Sequence, residues 1–189
     1  NIVGYTGGDL ACSPDFYIQL TERIKSKTSN IHVLFETNGY GLTPDNLRRL
    51  GDSGVDAFWL DIKAFDPQVH KRLCGVGNKR ILELPAEMTS LGFQLEVLSL
   101  FIPGWVEENQ LVSIARLLAS IDPLIPFTLL AFFPEYRLMD VRPPTVTEMI
   151  STYHSIKDAG IVNLRIGNIG VFARTDQDLE LLERETGII

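Results

Sequence analysis

The sequence predicts an α/β protein whose parallel strands form a barrel or partial barrel, and three observations carry that prediction. Short β-branched or aromatic runs alternate with amphipathic helical stretches at steps of about 25 to 40 residues, the pattern of right-handed βαβ units. Proline after a capping residue opens helical stretches, and glycine closes them. The strand ends also differ in chemistry from the strand starts. Gly7-Gly8-Asp9, Glu36-Thr37-Asn38-Gly39, Asp61-Ile62-Lys63, Pro103-Gly104, Phe132-Phe133-Pro134-Glu135-Tyr136 and Gly167-Asn168 all stand where strands finish. Parallel α/β folds bind ligands at those ends, and a barrel gathers them around one site.

Taken in order, Ile2-Val3 begins the first strand, and Gly7-Gly8 allow a sharp turn and close approach to a ligand. Ser13-Pro14-Asp15 reads as a capped helix start, and the helix runs to about Lys27. The second strand is residues 31–35. Thr43-Pro44-Asp45 caps a second helix, which Gly51 and Gly54 stop. Residues 56–60 read as a buried strand, followed by a connection through Asp66-Pro67 and Gly75-Val76-Gly77. A helix from about Lys79 to Leu91 leads to a long strand over 93–102. Residues 107–121 are strongly helical, with Leu111, Ile114, Leu117 and Leu118 at helical spacing. Residues 126–131 form the next strand, and Pro143-Pro144-Thr145 opens a helix that Gly160 ends. Residues 162–166 are the sixth strand. The core then covers 1–170, with a loop and short acidic helix over 171–189.

The chain has 189 residues, 45% of them hydrophobic, which is enough for a substantial core. It starts at a strand without an initiator methionine or a signal-peptide pattern, as a piece of a longer protein would. A net charge of −7 argues against nucleic acid as the main partner, and no apolar run approaches the length of a membrane span. Cys12 and Cys74 lack CxxC spacing, so they read as reduced thiols of a cytoplasmic protein. His32, His70 and His154 show no ligand spacing, and no metal site is expected.

Several residues have chemistry to offer. Asp61 and Lys63, two apart on a strand, share a face, as do Glu36 and Asn38, with Thr37 opposite. A lysine in a barrel mouth binds a carboxylate, acts as a base or forms a Schiff base. Each has a plainer reading: an ion pair at the rim, a turn with a helix cap, and for Asp9 a cap of the first helix. The loop from Phe132 to Tyr136 offers a stacking surface or a packed plug. Arg165 and Asn168 are less specific, and Glu107 and Glu108 suit a helix N-terminus. Asp176, Asp178, Glu180 and Glu183 read as a solvated face.

Gly7-Gly8-Asp9, Glu36-Thr37-Asn38-Gly39, Leu60-Asp61-Ile62-Lys63 and Ile102-Pro103-Gly104 occur in that order. Together they resemble the radical S-adenosylmethionine (SAM) enzymes, in particular the activases of glycyl-radical enzymes such as pyruvate formate-lyase. The likeness extends over about residues 1–170 and includes the text from Asp66-Pro67 to Leu82. It implies a TIM-like partial (β/α) barrel, here truncated at its first strand. It also implies a 4Fe–4S cluster that binds SAM, a flavodoxin- or ferredoxin-like electron donor, and a radical that abstracts hydrogen from a protein or peptide substrate. Gly7, Gly8 and Asp9 would receive the SAM amino group, with Asp9 replacing the usual Glu. Glu36, Thr37 and Asn38 would lie near the SAM carboxylate and ribose, and Asp61 and Lys63 would hold that carboxylate.

Two departures stand out. The family's CxxxCxxC cluster motif lies upstream of the Gly-Gly-Glu element, and neither Cys12 nor Cys74 falls at a cluster position. The parent protein is expected to carry that motif, this chain alone to be inactive, and Tyr5 to face the cluster. The unpaired sheet edge is expected to find a partner, for instance in an edge-strand dimer. Phe133 stands where activases carry histidine, and its surroundings resemble archaeal protein-modifying relatives that also use cobalamin, although no cobalamin-binding sequence is present. No residue is identified as catalytic. Two other readings remain open: a Schiff-base or metal-dependent barrel lyase using Lys63, Asp61 and Glu36, and a catalytically silent binding domain.

Overall fold

The computed structural model describes residues 1–7, 13–28 and 30–188. Gly8, Asp9 and Cys12 therefore lie outside the described residues. Six strands form one parallel sheet in sequence order: β1 (Ile2–Tyr5), β2 (His32–Thr37), β3 (Ala57–Asp61), β4 (Gln94–Phe101), β5 (Phe127–Ala131) and β6 (Leu164–Gly167). The intervening helices are α1 (Pro14–Lys27), α2 (Pro44–Ser53), α3 (Pro67–Cys74), α4 (Lys79–Ser90), α5 (Glu108–Ile121) and α6 (Val146–Asp158). Two more follow β6: α7 (Ile169–Phe172) and α8 (Asp176–Thr186). This is the expected α/β partial barrel.

The chain falls into two compact units, Asn1–Ile62 with Lys79–Glu96, and Lys63–Asn78 with Val97–Ile189. In the first unit, β2 and β3 alternate strictly. Val33, Phe35, Phe58 and Leu60 are buried with Leu47, Leu50, Leu84 and Met88 of the helices. Tyr5, Tyr17, Phe35, Phe58 and Phe93 form a continuous aromatic chain, with successive ring centroids 4.9–5.9 Å apart. Two expectations need correcting here. Gly51 lies inside α2 and does not end it; a Cβ there would meet the Phe93 ring at 3.0 Å. The helix stops at Gly54, whose left-handed φ of 102° closes it. Thr43 does cap α2, its hydroxyl accepting from the Asn46 N–H at 3.1 Å. Ser13 makes no side-chain cap, leaving Pro14 as the start signal of α1.

In the second unit, Val97, Phe101, Phe127, Leu129, Leu164 and Ile166 bury one face of β4–β6 against Ile114, Leu118, Met149 and Ile156. The Glu108 carboxylate accepts from the Ser151 and Ser155 hydroxyls at 2.8 and 2.9 Å, joining α5 to α6. A capping box opens α6: the Thr145 hydroxyl accepts from the Glu148 N–H, and Glu148 accepts from the Thr145 N–H. The connection expected after Asp66 contains a helix, α3, capped by the Asp66 carboxylate and ended by Gly75 at φ 79°.

Candidate functional site

The C-terminal end of β2 sends its side chains two ways. Glu36 is exposed on the open face of the sheet, whereas Thr37 is only 4% exposed on the helix-covered face. The Thr37 hydroxyl accepts from the Gly39 N–H at 3.0 Å, and Asn38 Oδ1 accepts from the Tyr40 N–H at 2.8 Å. These side chains therefore build the turn, as the plainer reading of the Glu-Thr-Asn-Gly stretch had it. Gly39 is required by packing: its φ is +79°, and a Cβ there would stand 2.7 Å from Leu84 Cδ1.

Strand β3 repeats the arrangement. Glu36 pairs in register with Trp59, and side chains in register on parallel neighbours share a face. Asp61 lies two residues further on that face, half-buried, while Phe58 and Leu60 are fully buried on the other. The open face of the first unit thus carries Glu36, Trp59 and Asp61 at its C-terminal end, with Leu34 and Ala57 in register below them. Gly4 of β1 is in register with Leu34, and among the described residues nothing lies within 4 Å of a Cβ built on it or on Gly7. That open space leaves room for a ligand beside the two carboxylates.

Just before the same strand, Asp56 is a carboxylate of a different kind. It accepts from Lys25 Nζ at 2.6 Å and from the Val33 N–H at 2.7 Å, with His32 Nδ1 at 3.6 Å. Burial works to raise its pKa, but the hydrogen bonds from Lys25 and Val33 and the charges of Lys25 and His32 prevail and hold it below the ordinary carboxylate value. A surface groove at this end is lined by His32, Arg48, Asp52, Asp56, Phe93 and Gln94. With Asp56 tied to Lys25, that groove reads as structural.

Lys63, half-buried, opens the second unit, two residues after Asp61. The chain that follows it is tightly held. Asn78, buried, donates to the Ala64 and Phe65 carbonyls at 3.0 and 2.7 Å. The His70 ring donates from Nδ1 to the Val76 carbonyl at 2.9 Å, so this buried histidine is structural. Gln110 accepts from the Asp66 N–H at 3.0 Å and donates to the Trp105 carbonyl at 2.6 Å. Nothing in the sequence pattern singles out Asn78 or Gln110, because amide supports of this kind have no periodicity.

The other candidates divide as follows. Tyr5 does not point to the open face: its ring packs on Tyr17 and Phe35, and its hydroxyl lies 3.3 Å from Thr21 Oγ1. Alternation in β1 gives the open face to Gly4. Asn168, at φ 57°, donates to the Ala131 carbonyl at 2.9 Å and so ties the end of β5 to the end of β6. Phe132 is buried, while Phe133 and Tyr136 are exposed. Among the described residues no three His, Cys, Asp or Glu side chains group as a metal site, and no helix is long and apolar enough to cross a membrane.

SAM carries an ammonium, a sulfonium, a carboxylate and a ribose diol. On the open face of the first unit, the carboxylates of Glu36 and Asp61 are of a kind that accepts from cations and hydroxyls, beside the space at Gly4 and Gly7. The donor set fits that molecule. It does not fit an iron–sulfur cluster, which needs more thiolates than this chain's two cysteines, one of which is the exposed Cys74.

Comparison with known proteins supplies an independent view. The model of the Radical SAM superfamily matches residues 1–118. The pyruvate formate-lyase 1-activating enzyme of Escherichia coli strain K12 is 26% identical over 130 residues, covering 62% of this chain and 53% of that protein. This chain thus spans about half the length of the curated relatives it matches. Among solved structures, a domain of a pyruvate-formate lyase-activating enzyme from Bacteroides vulgatus superposes with a TM-score of 0.72 at 20% identity, covering 88% of this chain and 98% of that one. SuiB of Streptococcus suis bound to S-adenosylmethionine superposes with a TM-score of 0.71 at 14% identity, covering 93% and 41%. At these identities the two superpositions speak to the fold.

Proposed function

This chain belongs to the radical SAM superfamily, and we propose that it is the SAM-binding part of an activase-like enzyme acting on a protein or peptide. The observation that carries the proposal is the placement of Glu36 and Asp61 on one open face, at the C-terminal ends of adjacent strands, with Lys63 two residues further along the sequence. The relative from Escherichia coli is named for activating pyruvate formate-lyase, itself a protein, which supports a macromolecular substrate. The cellular setting that goes with this reading is the cytoplasm, with a flavodoxin- or ferredoxin-like electron donor and a partner covering the edge of β1.

SAM supplies, on reductive cleavage, a 5′-deoxyadenosyl radical able to abstract hydrogen. The residues of this chain bind and orient it. Asp61 and Glu36 receive cationic and hydroxyl groups, Lys63 pairs with the carboxylate, and Gly7, Gly8 and Asp9 receive the amino group through main chain and carboxylate. Because the two cysteines do not make a cluster site, no step is assigned through one.

Calorimetric titration of the 189-residue chain with SAM tests this reading. Binding is expected, weakened about tenfold by Lys63→Ala and by Asp9→Ala, a loss of about 1.4 kcal/mol, with circular dichroism unchanged. No heat at millimolar SAM, or equal affinity in both variants, would overturn it.

A further inference from the structure

Trp59 stands in the middle of β3 between two fully buried neighbours, yet it is 38% exposed. More than a third of this large apolar residue stays open on the sheet face, where a ligand could still cover it. Its surroundings are specific. Glu36 is in register on β2, about 4.8 Å away across the ladder, and Asp61 is two residues, about 6.7 Å, along β3 on the same face. Leu34, Ala57 and Gly4 lie in register one step below, so small and aliphatic side chains leave the ring uncovered from that side. The face of an indole is electron-rich and attracts cations, and two flanking carboxylates deepen that preference while disfavouring anions.

We propose that Trp59 is a positioning residue of the SAM site, receiving the sulfonium on its ring between Glu36 and Asp61. The inference rests on the SAM reading above and deepens it, because it makes the pocket selective for the charged sulfonium over a neutral thioether such as that of the methionine released by reductive cleavage. Discharge of product and capture of fresh SAM then follow from one electrostatic preference.

The chain has two tryptophans, so Trp105→Phe leaves Trp59 as the sole indole reporter. Titrating that variant with SAM and with S-adenosylhomocysteine, a neutral thioether analogue of SAM, separates charge recognition from stacking. SAM is expected to quench Trp59 emission and to bind about tenfold more tightly than the thioether, a ratio within the range of a desolvated cation–π contact. Trp59→Phe should keep most of that ratio, and Trp59→Leu should bring it close to unity with thioether affinity little changed. If calorimetry detects SAM binding while Trp59 emission stays constant and the Phe and Leu variants keep the ratio, the inference falls and the SAM reading stands. If neither nucleoside binds the unaltered chain, the SAM reading fails and takes the inference with it. Should Trp59→Leu fail to fold, the emission change and the ratio in Trp59→Met, which keeps bulk without a ring, decide: an unchanged ratio there overturns the inference and a ratio near unity supports it.

Discussion

Strand β3 has a carboxylate just before its start and another at its end, and the two do opposite work. Asp56, before the strand, accepts from Lys25 and from the Val33 N–H, so it joins α1 to the sheet. Asp61, at the other end, lies on the open face with Trp59 and Glu36. In barrels built from βα units, the N-terminal rim of the strands serves stability and the C-terminal rim serves ligands. Here that division appears within six residues of one chain.

The largest expected effect breaks the stability end. Asp56→Ala should cost about 2–3 kcal/mol in urea unfolding, since it leaves the Val33 N–H without its acceptor and Lys25 without its counter-ion. Ligand affinity of the folded fraction should not change. Because the pKa of Asp56 is depressed in the fold, its contribution is present above the ordinary carboxylate range and fades as pH falls through the lowered value. An Asp56→Ala protein as stable as the parent at neutral pH would end the comparison.

Glycines sharpen it next. Gly39→Ala should destabilise by about 2 kcal/mol, from a positive φ and a contact with Leu84 that side-chain rotation relieves only in part. Gly4→Ala, with open space ahead of it, should leave the thermal midpoint nearly unchanged. Equal losses at both positions would mean that the open face is packed after all.

A smaller effect is expected at the capping box of α6. The Arg142 guanidinium donates to Glu148 at 2.6 and 2.8 Å, and with the Thr145 N–H and hydroxyl it holds the Glu148 carboxyl down at about 2. Glu148→Ala should cost about 1 kcal/mol. The sign follows from the depressed value: stability is in place above the unfolded carboxylate pKa of about 4.3 and is lost as pH falls toward 2. The parent and variant unfolding curves should therefore converge in acid. Curves that stay parallel down to pH 2 would assign the capping role elsewhere.

Much of this was legible in the sequence. The βα alternation and the polar strand ends announced the fold and the end of the sheet to inspect, because period-2 burial and glycine turns leave clear marks. Helix α3 was missed although Asp66-Pro67 is the same start signal as Thr43-Pro44. It has only eight residues and buries a histidine, so its apolar period is faint. Trp59 was hidden for another reason: an aromatic in a strand reads as core, and only its exposure reveals that it faces outward. Thr37 and Tyr5 stand beside the open-face positions but take the opposite face, where one is used in a turn and the other in packing.

The most discriminating change is one with little effect on folding. Asp61→Asn preserves shape while removing charge and replacing one acceptor oxygen with an NH2 donor, at a half-buried position on the open face. If Asp61 serves ligands, the variant should unfold within about 1 kcal/mol of the parent, well short of the loss expected at Asp56. Its SAM affinity should fall about tenfold, a loss of about 1.4 kcal/mol, with a smaller loss for the neutral thioether. Asp56→Asn, the same chemistry before the same strand, should do the reverse: lower the unfolding midpoint and leave the affinity ratio intact. A stability loss at Asp61 equal to that at Asp56, with no change in affinity, would make both carboxylates structural and leave the open face without its anionic centre.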